Sequence, residues 1–266
     1  MRLDAPAQRI IALYGGFNEI LHAMGLSDRI VARTSNETFP PGIADKPGIG
    51  THMRPNMELI VGLRPDVVLQ LAGRKAAGET VTRLRQRGVK VAAFSPATID
   101  ELFDTIRTIG ALTGSAPAAE ALIGRMQSRL DAVRERVQNV QHKPTVFFEV
   151  RSPNLLGAGL GGIVNDVIEH AGGRNCVRVD RKMVRLGEEA LIGLDPEVYV
   201  IQQGPMNQSP RPLAERPLYR TLSACQSGRT LVVDERMFSR PGPRIVEAVE
   251  TLARFLHPNR MKNRND

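Results

Sequence analysis

Short apolar runs alternate with helically spaced ones from the start of the chain. "RIIALYG", from Arg9, reads as a strand, and "FNEILHAMG", from Phe17, reads as a helix that Gly25 closes. "RIVART", from Arg29, is strand-like again. A loop rich in Gly and Pro follows, "SNETFPPGIADKPGIGTHMRP", after which Asn56 stands as the N-cap of a helix reaching Leu63. "DVVLQ" from Asp66, a helix in "GETVTRLRQRG" from Gly78 and "VKVAAFS" from Val89 continue the alternation. Strands and helices taking turns in this way predict an α/β fold with mainly parallel sheets covered by helices.

From about Ala116 to Val140 the period changes. Met126, Leu130, Val133, Val137 and Val140 recur at steps of four and three, with Arg, Gln and Glu between them, which predicts a long amphipathic helix. At 1.5 Å per residue it spans roughly 36 Å, about the width of a small domain. Pro144 marks a restart, and the second half repeats the plan. Its strand "TVFFEV", helix "GIVNDVIEHAGG" and strand "RTLVVD" lead to a terminal helix carrying Ile245, Val246, Val249, Leu252, Ala253 and Leu256 on one face. The domain prediction is an N-terminal Rossmann-like lobe over 1–115, a connecting helix over 116–141 and a C-terminal lobe over 142–266.

One stretch occurs twice. "ELIVGLRPDVVLQ" begins at Glu58 and "EALIGLDPEVYVIQ" at Glu189, 131 positions later (189 − 58). Each copy has a glutamate, an apolar helical turn, a Leu-x-Pro stop and a run of β-formers.

Composition adds exclusions. A hydrophobic fraction of 42% with 24% charged residues is that of a chain with a packed core. The net charge of +8 is spread over scattered Arg and Lys, and with 4% aromatics and no Trp there is no base-stacking platform, so no nucleic-acid partner is expected. A basic cleft for an anionic small ligand is the better use of the charge. Cys176 and Cys225 form no CxxC and have no nearby His pair, which argues against zinc; a single disulfide and two free thiols both stay open. No apolar run approaches the roughly 18–20 residues that cross a bilayer, and the opening residues lack the marks of a signal peptide. The chain as given therefore reads as a cytoplasmic protein or as a mature segment whose export signal has been removed.

Enzyme signatures are weak. GxSxG, the P-loop and HExxH do not occur. "GAGLGG" places Gly157, Gly159 and Gly162 at the GxGxxG spacing, but "RSPNLL" separates it from its strand, so no dinucleotide enzyme is expected. Those glycines read instead as letting a helix N-terminus approach a ligand. A free-cation or oxyanion binder of the same fold is the alternative. It would need converging His and carboxylates, whereas His22 and His170 fall inside helices that read as packed. No cofactor and no protein-held metal are expected.

The order of these segments resembles the Fe/B12 type (class III) of periplasmic substrate-binding proteins of ABC importers. The resemblance is carried by "RIIALYGGFNEILHAMGLSDRIVARTSNETFPPG", "KPGIG" and "NMELIVGLRPDVVLQ" in the first half. "HAGGRN", "GEEALIGLDPEVYVI" and "RPGPRIVEAVETLARFLHP" carry it in the second. It implies two α/β lobes joined by one long rigid helix, with a metal chelate (ferric siderophore, cobalamin-like corrinoid or haem) captured in the interlobe cleft and delivered to a permease and its ATPase subunits. It also implies a monomer that works in the periplasm or at the outer face of a membrane. One surface glutamate on each lobe would dock on permease arginines, here Glu58 and Glu189, with Glu188 as the neighbouring candidate. An acid in a first helical turn is favoured by roughly 0.3–1 kcal/mol through the helix dipole.

Ligands of open α/β sheets gather outside the carboxyl ends of the strands. By that rule the ligand-binding candidates are Tyr14, Phe17, His52, Met53, Arg54 and Arg74 in the first lobe, and Arg151, Arg181, Gln203, Arg236 and Arg240 in the second. Their excess of cations points to a ligand bearing carboxylates. Tyr14, His52 and Met53 are candidate axial contacts to a chelated metal.

Overall fold

The computed structural model of the chain describes residues 3–73 and 75–262. Two compact units emerge, one from Met1–Pro96 with Asp100–Arg125 and the other from Ala97–Ile99 with Met126–Asp266.

The first unit contains β1 (Ile10–Ala12), α1 (Gly15–Ala23), β2 (Ile30–Ala32), α2 (Met57–Gly62), β3 (Val67–Leu71), α3 (Lys75–Gln86), β4 (Val91–Phe94) and α4 (Ile99–Thr113). Its strands form a parallel sheet in the order β2-β1-β3-β4, with Ile10 aligned to both Ile30 and Val67. The central strand β1 is an uninterrupted apolar run because both its faces are covered: Ile10, Ile11 and Ala12 are fully buried. Phe17, Ile20 and Leu21 on α1 are buried as well, each such side chain contributing about 1.5–3 kcal/mol on leaving water. α1 ends as the sequence predicts: Gly25 takes φ 77° and the Leu26 N–H donates to the Leu21 carbonyl, a closure that favours glycine. The sequence reading assigned no element between residues 96 and 115, where α4 stands. Its buried Ile99, Leu102, Phe103, Ile106 and Ile109 follow helical spacing, with Asp100 and Glu101 in the first turn.

α5 (Ala116–Val137) is the long helix the periodicity predicts, and the boundary between the two units falls inside it, after Arg125. It ends three residues before Val140. The second unit then runs β5 (Thr145–Arg151), β6 (Leu156–Ala158), α6 (Ile163–His170), β7 (Arg174–Asn175), β8 (Met183–Arg185), α7 (Glu188–Leu194) and β9 (Val198–Gln203). It closes with α8 (Ser223–Gln226), β10 (Thr230–Asp234), α9 (Glu235–Phe238), α10 (Ile245–Leu256) and α11 (Pro258–Met261). The sheet order is β10-β9-β5-β6-β8, with β7 also on β5. β10, β9, β5 and β7 are parallel, and β6 and β8 add an antiparallel edge. α10 buries the predicted face, from Ile245 to Leu256.

Cys176 and Cys225 are free thiols, the first in the core beside Phe147 and Tyr199 and the second packed on that core's edge. Burial pushes the Cys176 thiol up to about 12.

Candidate functional site

The repeated stretch folds the same way twice. In α2 the N-cap Asn56 accepts the Glu58 and Leu59 N–H groups on Oδ1, both at 3.1 Å, so Glu58 is the second helical residue. In α7 the N-cap is Gly187 and Glu189 is again the second helical residue. Ile60 and Leu191, which correspond, are both fully buried, while Val61 and Ile192, which also correspond, are both 37% exposed. Each helix ends on a left-handed non-glycine residue, Arg64 at φ 46° and Asp195 at φ 35°, with Pro65 and Pro196 next. β3 and β9 then start at equivalent positions.

The two neighbouring acids of α7 differ in surroundings. The Glu188 carboxylate faces the Tyr219 hydroxyl, and burial first, then that carboxylate, pushes the Tyr219 pKa up to about 12. Glu189 and Glu58 are exposed, and neither side chain has a hydrogen-bond or ion-pair partner among the described residues. At the other end of α7, Asp195 accepts the Ser223 hydroxyl at 2.6 Å and the Ser223 N–H at 2.7 Å. These bonds hold its carboxyl below the ordinary carboxylate range.

The first unit's ligand-binding candidates gather partly. The Tyr14 ring meets Phe17 edge-on at 5.9 Å and His52 at 6.3 Å. Phe17 is fully buried and also meets Phe94 edge-on at 5.4 Å, so Tyr14 rests on a buried aromatic pair. His52 and Arg54 are exposed and Met53 half-buried, in a turn where the Arg54 N–H donates to Thr51. Arg74 lies outside the described residues.

In the second unit, Arg151 ends β5, Gln203 ends β9 and Arg236 follows β10, three neighbouring parallel strands. Glu149 aligns with Ile201, and Gln203 with Asp234, so these ends are level. Arg151, Arg236 and Arg240 are half-buried and Gln203 is exposed; the Arg151 Nε, although buried, has no partner among the described residues. Arg181 is exposed and belongs to a different place, the loop before β8.

That loop corrects the reading of "GAGLGG". The N–H groups of Gly159, Leu160 and Gly161 donate to the carbonyls of Lys182, Val179 and Arg181. A Cβ on Gly159 would stand 2.3 Å from the Arg181 oxygen, and one on Gly162 would stand 2.9 Å from the Lys182 side chain. Gly159, Gly161 and Gly162 admit the chain's own 179–182 loop, Gly157 packs against Phe147 and Leu186, and the amides of Gly159 and Gly161 are already used. His22 lies in α1, a packed helix as read from the sequence, but its own side chain is exposed, with Nδ1 2.8 Å from the Ser27 hydroxyl. Among the described residues no three His, Cys, Asp or Glu side chains form a group that could hold a metal.

The sequence reading missed a buried polar network beneath the arginine rim. Glu149, fully buried in β5, accepts from the Tyr199 hydroxyl at 2.7 Å, from Asn207 Nδ2 at 3.1 Å and from both terminal nitrogens of Arg216. The Arg216 pKa rises: burial pulls it down, but the bond to Glu149 and its charge more than offset that. A glutamate in the middle of the apolar run "TVFFEV" was the available signal, since a fully buried carboxylate requires partners.

Two α/β units, the second with arginines at its strand ends, and a matched acidic helix on each suit a ligand-binding protein. The family profile described as "Periplasmic binding protein" matches residues 10–237, and the chain belongs to that family. A curated relative, the uncharacterized ABC transporter substrate-binding lipoprotein YvrC of Bacillus subtilis, is 26% identical over 96% of this chain and 82% of its own. A cobalamin-binding protein of Halobacterium salinarum is 29% identical over 96% of this chain and 71% of its own. Among solved structures, the apo periplasmic heme-binding protein RhuT from Roseiflexus sp. RS-1 shares the fold. It superposes with a TM-score of 0.82 at 24% identity, covering 96% of this chain and 99% of that one.

Proposed function

We propose that the protein is the substrate-binding component of an ABC importer, working outside the cytoplasmic membrane, and that it captures a carboxylate-bearing metal chelate for delivery to a permease. The observation that carries this reading is the gathering of Arg151 at the carboxyl end of β5 and of Arg236 and Arg240 in the segment that follows β10, on a sheet whose β5, β9 and β10 are adjacent and parallel, in a chain of this family. Guanidinium groups match carboxylates in bidentate geometry, whereas a naked cation would be repelled there. Family membership and the cobalamin-binding relative support a corrinoid, haem or ferric siderophore. Tyr14 and His52, in ring contact, are the axial candidates of the first unit. Glu58 and Glu189 act as the docking carboxylates, and the engagement of Glu188 with Tyr219 favours Glu189 over its neighbour.

The test is visible absorption titration of the purified protein with haemin, aquocobalamin and a ferric catecholate. A saturable band shift with one of them is expected. If none shifts while a free divalent cation binds stoichiometrically in calorimetry, the chelate reading fails and the free-cation alternative stands.

A further inference from the structure

Glu188 sits one residue from the proposed docking carboxylate, yet it is the first member of a continuous chain of polar contacts reaching the arginine rim. It faces Tyr219, and α7 packs on the short helical turn 217–221 that carries Tyr219. The Arg216 guanidinium lies over the Tyr219 ring, 5.5 Å from its centroid, and forks onto Glu149. Asn207 spends one amide on both Glu149 and the Gln202 carbonyl, and its Oδ1 accepts the Ser152 N–H at 3.4 Å, next to Arg151. Its turn is clasped by reciprocal Gly204 and Asn207 bonds, and the Met206 N–H donates to Glu235 at 2.8 Å, next to Arg236. The Gln202 side chain donates to the Val150 carbonyl and accepts from Ser239, next to Arg240.

Each of the three rim arginines is therefore flanked by a residue bonded into this network. A buried, fully paired carboxylate cannot release one partner cheaply, so displacement of Arg216 moves Asn207 with it rather than being absorbed. Close packing of the interior transmits such a shift instead of dissipating it.

We propose that Tyr219, Arg216, Glu149 and Asn207 are positioning residues that couple the N-terminus of α7 to the loops carrying Arg151, Arg236 and Arg240, so that a partner engaging α7 changes the grip on the ligand. By reciprocity, ligand on the rim changes how α7 presents its acids. The role assigned to the coupling rests on the docking reading of Glu189, but the contact chain does not, and its test uses neither ligand nor permease.

The test is hydrogen exchange of the full chain, read by mass spectrometry on peptides covering 150–156, 204–208 and 236–241. Tyr219→Phe deletes only the hydroxyl facing Glu188, and Glu188→Gln alters only an exposed side chain and leaves the fold intact. Both variants are expected to speed exchange in these three segments by about 3-fold or more, within the range seen for coupled sites, while α6 and α10 stay at wild-type rates. Leu218→Ala, an exposed neighbour outside the network, should change none of them. Wild-type exchange in the three segments for both variants, or uniform acceleration that includes α6 and α10, overturns the proposal.

Discussion

Arg151 shows how much a single side chain can settle. Its Nε is buried and unpartnered among the described residues, a position that costs stability unless a ligand oxygen completes it. Arg151→Gln is expected to weaken a dicarboxylate chelate roughly 10-fold, as loss of one charge-assisted bond does, without lowering the thermal midpoint of the ligand-free protein; fluorescence titration measures it. Gly159 settles a different matter. With the Arg181 oxygen 2.3 Å from where its Cβ would be, Gly159→Ala should destabilise the unit by about 1–3 kcal/mol in urea unfolding. The Cys176 thiol, held at about 12 by burial, should resist a thiol-specific reagent at pH 8 until the protein is unfolded.

At the scale of elements, α2 and α7 are one device made twice, but their ends are secured differently. Asn56 caps α2 with its side chain, whereas α7 has no side-chain cap and relies at its other end on Asp195 holding Ser223. Because the Asp195 pKa is depressed on folding, its contribution is present above the unfolded carboxylate value, near 4, and is lost as pH falls through the folded one. Asp195→Asn should therefore be destabilised at pH 6 and converge with wild type toward pH 2, which calorimetry across that range would reveal. Reversing both proposed docking acids, Glu58→Arg with Glu189→Arg, should abolish uptake in a transport assay and leave ligand affinity untouched. A fall in affinity would assign these carboxylates to the fold instead.

For the whole molecule the relevant quantities are charge and connectivity. A net charge of +8 would accelerate capture of the proposed anionic chelate, and salt would screen that acceleration. Stopped-flow association should slow several-fold between about 10 mM and 300 mM salt, with dissociation little affected.

What the sequence determined by itself was local and periodic. Apolar runs such as Ile10–Ala12 marked the central strands, the spacing of Met126, Leu130, Val133 and Val137 marked the long helix, and the copied stretch placed two acids at one helical position. Helix and strand periods are properties of neighbouring residues, so they survive in one dimension, and even the unassigned α4 carried its pattern openly. Tertiary structure alone decided the rest. Glu149 and Arg216 are 67 positions apart, the glycines of "GAGLGG" meet a loop some twenty residues later, and only their three-dimensional neighbours tell Glu188 from Glu189. Desolvation and close approach depend on which distant segments share a volume, and no pattern along the chain encodes that.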